Sequence, residues 1–283
     1  MKNHILRIVA LYVVSTFACG ADKFVIHDRE ITIQAPEGFV LVTDEMPEVK
    51  KIVEQISDTL NDTIAYYIPE SQVPAAMGSG TLDLRRTFAI KADKRLRKEG
   101  VSNYLFPYHK DLIRSQIKKT TQEVKSKLPR HLDVINDKIN EGSDLKIALS
   151  VSQVVPLDIH HEDTDSISYS MFINYGFSVG EYKDSEISAV TCTVSHVKDS
   201  MILLLSYAPK DELEKTRSSS LAWNAQISKD NKEEESSIAP ISNSYAQPIK
   251  SRKEDNYLIT LVIVGMLVAI FLVLVVRMFK RGR

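Results

Sequence analysis

Cysteine is almost missing from the 283 residues, which hold only Cys19 and Cys192. Cys19 closes a short apolar run at the start, and if it leaves with that run, no intramolecular disulfide can form. That excludes a disulfide-stapled scaffold and separates the chain from animal surface domains of similar size, which carry bridges. Catalytic signatures are missing as well: there is no G-x-S-x-G, H-E-x-x-H, Walker A loop, Rossmann glycine pattern or C-x-x-C. Catalytic groups can assemble from distant positions, but this absence favours a chain that binds over one that turns over a substrate. N-glycosylation signals are equally sparse, with Asn61-Asp62-Thr63 the single sequon. The setting these absences suggest is a bacterial envelope.

Two apolar runs are present. Residues 257–276 carry no charge, no Pro and one Gly, and a helix through them is roughly 30 Å long, about the thickness of a bilayer's hydrocarbon core. Arg277, Lys280, Arg281 and Arg283 follow without an acid. By the retention of basic residues on the cytoplasmic side, the tail 277–283 is expected inside and everything before the span outside. The second run, 5–18, follows Lys2 and is interrupted by Arg7, and it is too short to span. With small residues at Ala18, Cys19, Gly20 and Ala21 behind it, it reads as a signal peptide over 1–21. Lipidation of Cys19 is the alternative, although Phe17 stands where lipoprotein signals have a small residue.

Between these ends the reading gives an outer domain over 22–227 and a stalk over 228–256. The stalk is rich in Lys, Glu, Ser and Pro, and it buries too little to offset its ordering entropy. The domain opens with alternating Phe24, Ile26, Ile31 and Ile33, then Pro36-Glu37-Gly38 and a strand over 39–42. Pro47 starts a helix with Val49, Ile52, Val53, Ile56 and Leu60 on one face. Strands are expected over 63–68 and 84–90 with a Pro- and Gly-containing loop between them. A basic helix follows over 109–128, and a shorter one with Leu132, Ile135 and Ile139 ends at Gly142. Four Val-, Ile-, Ser- and Thr-rich strands over 145–159, 167–179, 187–197 and 201–207 make an antiparallel meander. Residues 211–227 close the domain as a helix anchored by Leu213, Leu221 and Trp223. The fold class is therefore α+β, an antiparallel sheet with helices packed on one face, plus a signal peptide and a C-terminal transmembrane helix.

Charge is divided along the chain. Residues 85–130 hold fourteen Lys and Arg against four acids, and 131–208 hold four against twelve. The plain explanation is two solvated faces that balance within one fold. The sharper one is a patch of Lys94, Arg95, Arg97, Lys98, Lys110, Arg114 and Lys118 for an acidic partner or anionic headgroups. The acidic half could instead meet the basic half of a second copy. Nucleic acid is not expected as a partner outside the cell.

The densest set of potential metal ligands is Asp158-Ile159-His160-His161-Glu162-Asp163-Thr164-Asp165. Imidazole and carboxylate together suit Zn²⁺, and His160, His161, Glu162 and Asp163 are the candidates, against a plain polar turn between strands. His196 follows Ser195, but neighbours in a strand point to opposite faces, which argues against a catalytic pair. Cys192 reads as a small buried residue. Within the span, Gly265 and Ala269 are four apart, a spacing that lets two helices approach closely and suggests a homodimer.

The pattern of a short strand, Ala35-Pro36-Glu37-Gly38-Phe39 and a second strand before a helix resembles the PsbP and Mog1 group of small lipid- or protein-associated α+β modules. It carries no functional residues, so the resemblance implies a fold type and nothing of a site. The expectation is a single-pass, type I protein of the bacterial inner membrane. Its periplasmic domain binds or scaffolds an envelope partner without a cofactor, with a membrane-anchored metal-dependent hydrolase as the alternative.

Overall fold

In a computed structural model, residues 20–55, 61–80, 82–117, 132–134, 136–137, 140–141 and 147–232 are described. The described residues open with a hairpin, β1 (Asp22–Ile26) and β2 (Arg29–Ile33), which forms a two-stranded sheet of its own. Its turn places His27 and Asp28 at positive φ (48° and 56°), the double left-handed geometry whose twist matches the flanking strands. Then follow β3 (Phe39–Leu41), α1 (Pro47–Gln55), β4 (Asn61–Pro69), the short α2 (Val73–Ala76), β5 (Thr87–Asp93), α3 (Leu96–Glu99) and α4 (Phe106–Ile117). The remaining elements are β6 (Ile147–Glu162), β7 (Ser166–Val179), β8 (Tyr182–Val197), β9 (Ser200–Pro209) and α5 (Leu213–Asp230).

Seven strands form one sheet in the order β3-β4-β5-β9-β8-β7-β6, with every neighbouring pair antiparallel. The expected meander is there, and its last strand pairs with β5, so the early and late parts of the chain share one sheet. The β8–β9 turn repeats the geometry of the first hairpin, with Lys198 and Asp199 at φ 47° and 57°.

Both faces of this sheet are covered. On one, Val49, Ile52 and Val53 of α1 and Phe106 and Ile113 of α4 pack with Tyr66, Tyr169, Met171, Val190, Leu203 and Leu205. On the other, Ile26, Ile31 and Ile33 of the hairpin and Trp223 and Ile227 of α5 pack with Tyr67, Phe88, Ile90 and Leu204. Trp223 meets Tyr67 and Phe88 edge-on, at centroid distances of 5.5 and 5.3 Å, the orientation favoured by the ring quadrupole. Its indole N–H donates to the Gln34 carbonyl at 2.8 Å. Asn231 fastens the same corner: its Oδ1 accepts from Thr32 N–H at 2.9 Å and its Nδ2 donates to Thr32 O at 2.6 Å.

The expectation of helices on one face only is thus corrected. Its cause is chemical: where β7 and β8 run under α5 the sheet presents hydroxyls instead of apolar side chains. Ser166, Ser168 and Ser170 of β7 stand opposite Ser195, Thr193 and Thr191 of β8, and such a row reads in sequence as a solvated face. Helix α5 answers it with Thr216, Ser220 and Asn224, all buried. Ser168 and Thr193 share a hydrogen bond at 2.7 Å, and Thr193 and Ser220 another at 3.0 Å.

Among the described residues no helix is long and apolar enough to cross a membrane. The fold class, which counted a transmembrane helix, is corrected to a mixed α+β fold with a large antiparallel sheet and packed helices. The single-pass topology, the membrane partner and the inner-membrane localisation drawn from that helix are corrected with it. Residues 1–19, 118–131 and 233–283 lie outside the described residues, and with them the signal peptide up to residue 19, most of the stalk, the span with Gly265 and Ala269, and the tail.

Candidate functional site

The seven basic residues of the expected patch do not stand together as one free surface. Lys118 lies outside the described residues. Lys110 is buried at 9% exposure, with Nζ donating to the Asp163 carbonyl at 2.7 Å and lying 3.2 Å from Glu162 Oε1. Its ammonium also sits 5.7 Å from the Phe106 ring centroid, a favourable cation–π placement. Arg114, one turn further along α4, contacts the same Glu162 oxygen and also Asp111. The hydrogen bond from Arg114 holds the Glu162 carboxyl below its usual range, with a further contribution from Lys110. The basic helix and the ligand-rich turn, separate features in the sequence, are therefore a single ion cluster.

That cluster settles the ligand-rich turn by internal bonding. Asp163 Oδ1 accepts from Ser166 Oγ and Asp165 N–H, both at 2.9 Å, and Oδ2 lies 3.2 Å from His161 Nε2. Burial works to raise the Asp163 pKa, yet the hydrogen bonds from Ser166, His161 and backbone N–H groups keep it below the usual value. His160 is turned elsewhere. Both of its ring nitrogens are buried without a hydrogen bond, and burial, with repulsion from Arg217, pushes its pKa down to about 4. Among the described residues no three His, Cys, Asp or Glu side chains converge as a metal site. His196, the other imidazole of interest, donates from Nε2 to the Val101 carbonyl at 2.5 Å, and Asn61 of the sequon is 1% exposed.

The other four cations occupy a braced turn. Asp93, itself buried, accepts from the N–H groups of Arg95 and Leu96, both at 2.8 Å, which fixes the start of α3 through a short local capping arrangement. At its end Gly100 adopts φ +73°, and a Cβ there would lie 2.3 Å from His27 Nε2. His27 donates from Nδ1 to the Lys98 carbonyl at 3.1 Å, and Val101 N–H donates to Asp199 O at 2.8 Å. The two hairpin tips and the 94–100 turn are so drawn to one end of the molecule. Arg97 is held by Asp62 at 2.8 Å, and Lys94 approaches the same carboxylate at 4.0 Å. Arg95 and Lys98 are exposed and make no ion pair among the described residues. Arg29 and Lys198, on the hairpin tips, add cations here that sequence reasoning missed. Arg29 lies 3.7 Å from Asp199, and Lys198 Nζ donates to the Glu30 carbonyl at 3.0 Å. Charge counting by segment could not find them, because they come from distant turns.

No family model matches the chain, and no curated protein matches it. Among solved structures, the solution structure of cyanobacterial PsbP (CyanoP) from Synechocystis sp. PCC 6803 is similar at 9% identity, over 75% of this chain and 94% of that chain, with a TM-score of 0.30. A likeness at that level carries no argument about ligand or partner. The membrane-anchored envelope scaffold and the membrane-anchored hydrolase are both withdrawn with the topology they required. The expected homodimer is withdrawn too, since the basic and acidic segments that were to join two copies meet inside one chain, at Lys110, Arg114 and Glu162.

Proposed function

We propose that the chain is a non-catalytic recognition module that binds an acidic polypeptide through the 94–98 turn. The observation that supports this reading is the contrast between two sets of cations from one basic region. Lys110 and Arg114 are bonded to Glu162, whereas Arg95 and Lys98 are exposed on a turn held at both ends by Asp93 and Gly100. A rigid turn loses little conformational freedom when its cations are engaged, which improves the affinity obtained from each contact. Arg95 and Lys98 lie three residues apart with no buried donors converging between them, so they suit a ligand with carboxylates spread along a chain. Exposed ion pairs of this kind contribute about 0.2–1 kcal/mol each and weaken with salt.

The test is a titration of the full chain with a polyglutamate peptide at low and moderate salt. Binding that weakens with salt and drops about tenfold in Arg95→Glu/Lys98→Glu, but is unchanged in Lys215→Glu on α5, agrees with the reading. Equal losses in both variants, or no binding by the wild type, overturn it.

A further inference from the structure

Three asparagines use their side-chain carboxamides as links of a β-ladder. Asn136 Nδ2 donates to Leu149 O at 3.1 Å while its Oδ1 accepts from Leu149 N–H at 2.8 Å. Asn140 does the same with Ile147, at 2.7 Å in both directions. Asn231 repeats the exchange with Thr32 of β2. A carboxamide has the donor and acceptor geometry of a peptide group, so each residue occupies the place a neighbouring strand's backbone would take.

The spacing explains why two of them work together. Asn136 and Asn140 fall in helical residues one turn apart, a rise of about 6 Å. Leu149 and Ile147 are alternate residues of β6, separated by about 6.6 Å. The two asparagines therefore present their amides in step with the outward-pointing groups of the strand. β6 is the last strand of the seven, so among the described residues this edge has no strand beyond it. The rest of the edge is guarded differently: register breaks occur between Val151 and Gln153, Pro156 and Ile159, and Ile159 and His161. Pro156 in addition has no N–H to offer. Ile147 to Val151 is the longest stretch in unbroken register, ahead of Gln153 to Pro156, and it is the stretch the asparagines meet. At the opposite end of the sheet β3 is three residues long, too short to template an addition.

We propose that Asn136 and Asn140 form an edge latch: they satisfy the outward backbone groups of Ile147 and Leu149 and so prevent β6 from pairing with β6 of a second copy. An unlatched edge is self-complementary about a two-fold axis, since an antiparallel pair of identical strands presents the same groups to each other. The latch is thus a built-in guard against edge-to-edge pairing of two copies, and it is independent of the 94–98 turn.

The experiment compares the full-length wild type, Asn136→Ala/Asn140→Ala, and that double variant carrying Ala148→Lys, by light scattering over a range of concentrations. Ala148 is exposed beside the latched residues, and a Lys there opposes strand addition. The double variant is expected to at least double its mass as concentration rises, and Ala148→Lys to restore the wild-type value. A double variant with the wild-type mass throughout overturns the latch, and so does association that Ala148→Lys leaves intact. Amide hydrogen exchange on the wild type keeps the idea open to refutation if the double variant does not fold. Protected N–H groups at Ile147 and Leu149 support the latch, and exchange at the rate of unstructured amides removes it.

Discussion

Lys110 of α4 lies 3.2 Å from Glu162, the last residue of β6, and joins the basic part of the chain to the acidic part. Arg114 meets the same carboxylate, so one acid answers two cations. Glu162→Gln keeps the shape of the side chain and removes its charge, leaving a buried ammonium beside a neutral amide. The expected cost is about 1–3 kcal/mol, reduced from the value for a fully buried pair because Glu162 retains some solvent contact. A lower urea midpoint with an unchanged slope checks it. Because the Glu162 pKa is lowered by folding, its contribution is present above the unfolded carboxylate pKa and disappears as pH falls through the folded one.

His160 gives a separate pH dependence. Its folded pKa of about 4 lies below the ordinary value of 6.5, so the unfolded chain takes up the proton first. Stability is full above about pH 6.5 and declines as pH falls from there toward 4. The groups acting on the ring are Arg217 and Glu214 of α5 and His161 on its own strand. His160→Gln is expected to flatten the urea midpoint between pH 7 and pH 5 relative to wild type. A variant with the same slope over that interval would place the effect elsewhere.

Gly100 controls the geometry of the 94–98 turn. At φ +73° with the His27 ring in the space of a Cβ, Gly100→Ala strains the backbone and displaces the ring that bonds Lys98 O. A loss of about 1–3 kcal/mol is expected, seen as a lower melting temperature. Affinity for polyglutamate should fall in the same variant, because Arg95 and Lys98 are no longer held in place.

Cys192 is fully buried in β8, and burial pushes its thiol up to about 12, against the hydrogen bond from Tyr169 that lowers it. A thiol so placed presents no thiolate to a reagent. In a Cys19→Ser background, labelling by a maleimide should be negligible in the native protein and complete in urea. Rapid native labelling would show that β8 opens locally.

The strands were largely legible because β-branched runs, turn residues and period-two alternation agree with one another. The pairing of β7 and β8 with α5 was not, since Ser168, Ser170, Thr191 and Thr193 look like a solvent face until Ser220 and Arg217 are seen bonding to them. Hydroxyls carry no period of their own burial; only the covering helix decides it. The proposed site was half legible for a similar reason. Charge density located Arg95 and Lys98, but it grouped them with Lys110, whose buried bond to the Asp163 carbonyl spans 53 residues of sequence. Asn136 and Asn140 left a sequence signal that could have been used: two asparagines one helical turn apart, shortly before a strand at the sheet's edge.

The bond between Thr32 and Asn231 joins residues 199 apart. During synthesis the β1–β2 hairpin emerges early, while the tryptophan and asparagine that cover it are among the last described residues made. Until α5 arrives, Ile26, Ile31 and Ile33 lack the helix they pack against, and Thr87 of β5 waits for its partner Tyr207 of β9. Contacts of such span slow folding, because the loop must close before any of its bonds can compensate the lost freedom. The ribosome therefore releases a chain whose first described strands depend on its last described helix, and truncation anywhere before Trp223 leaves the opening hairpin as a sticky, unfinished surface.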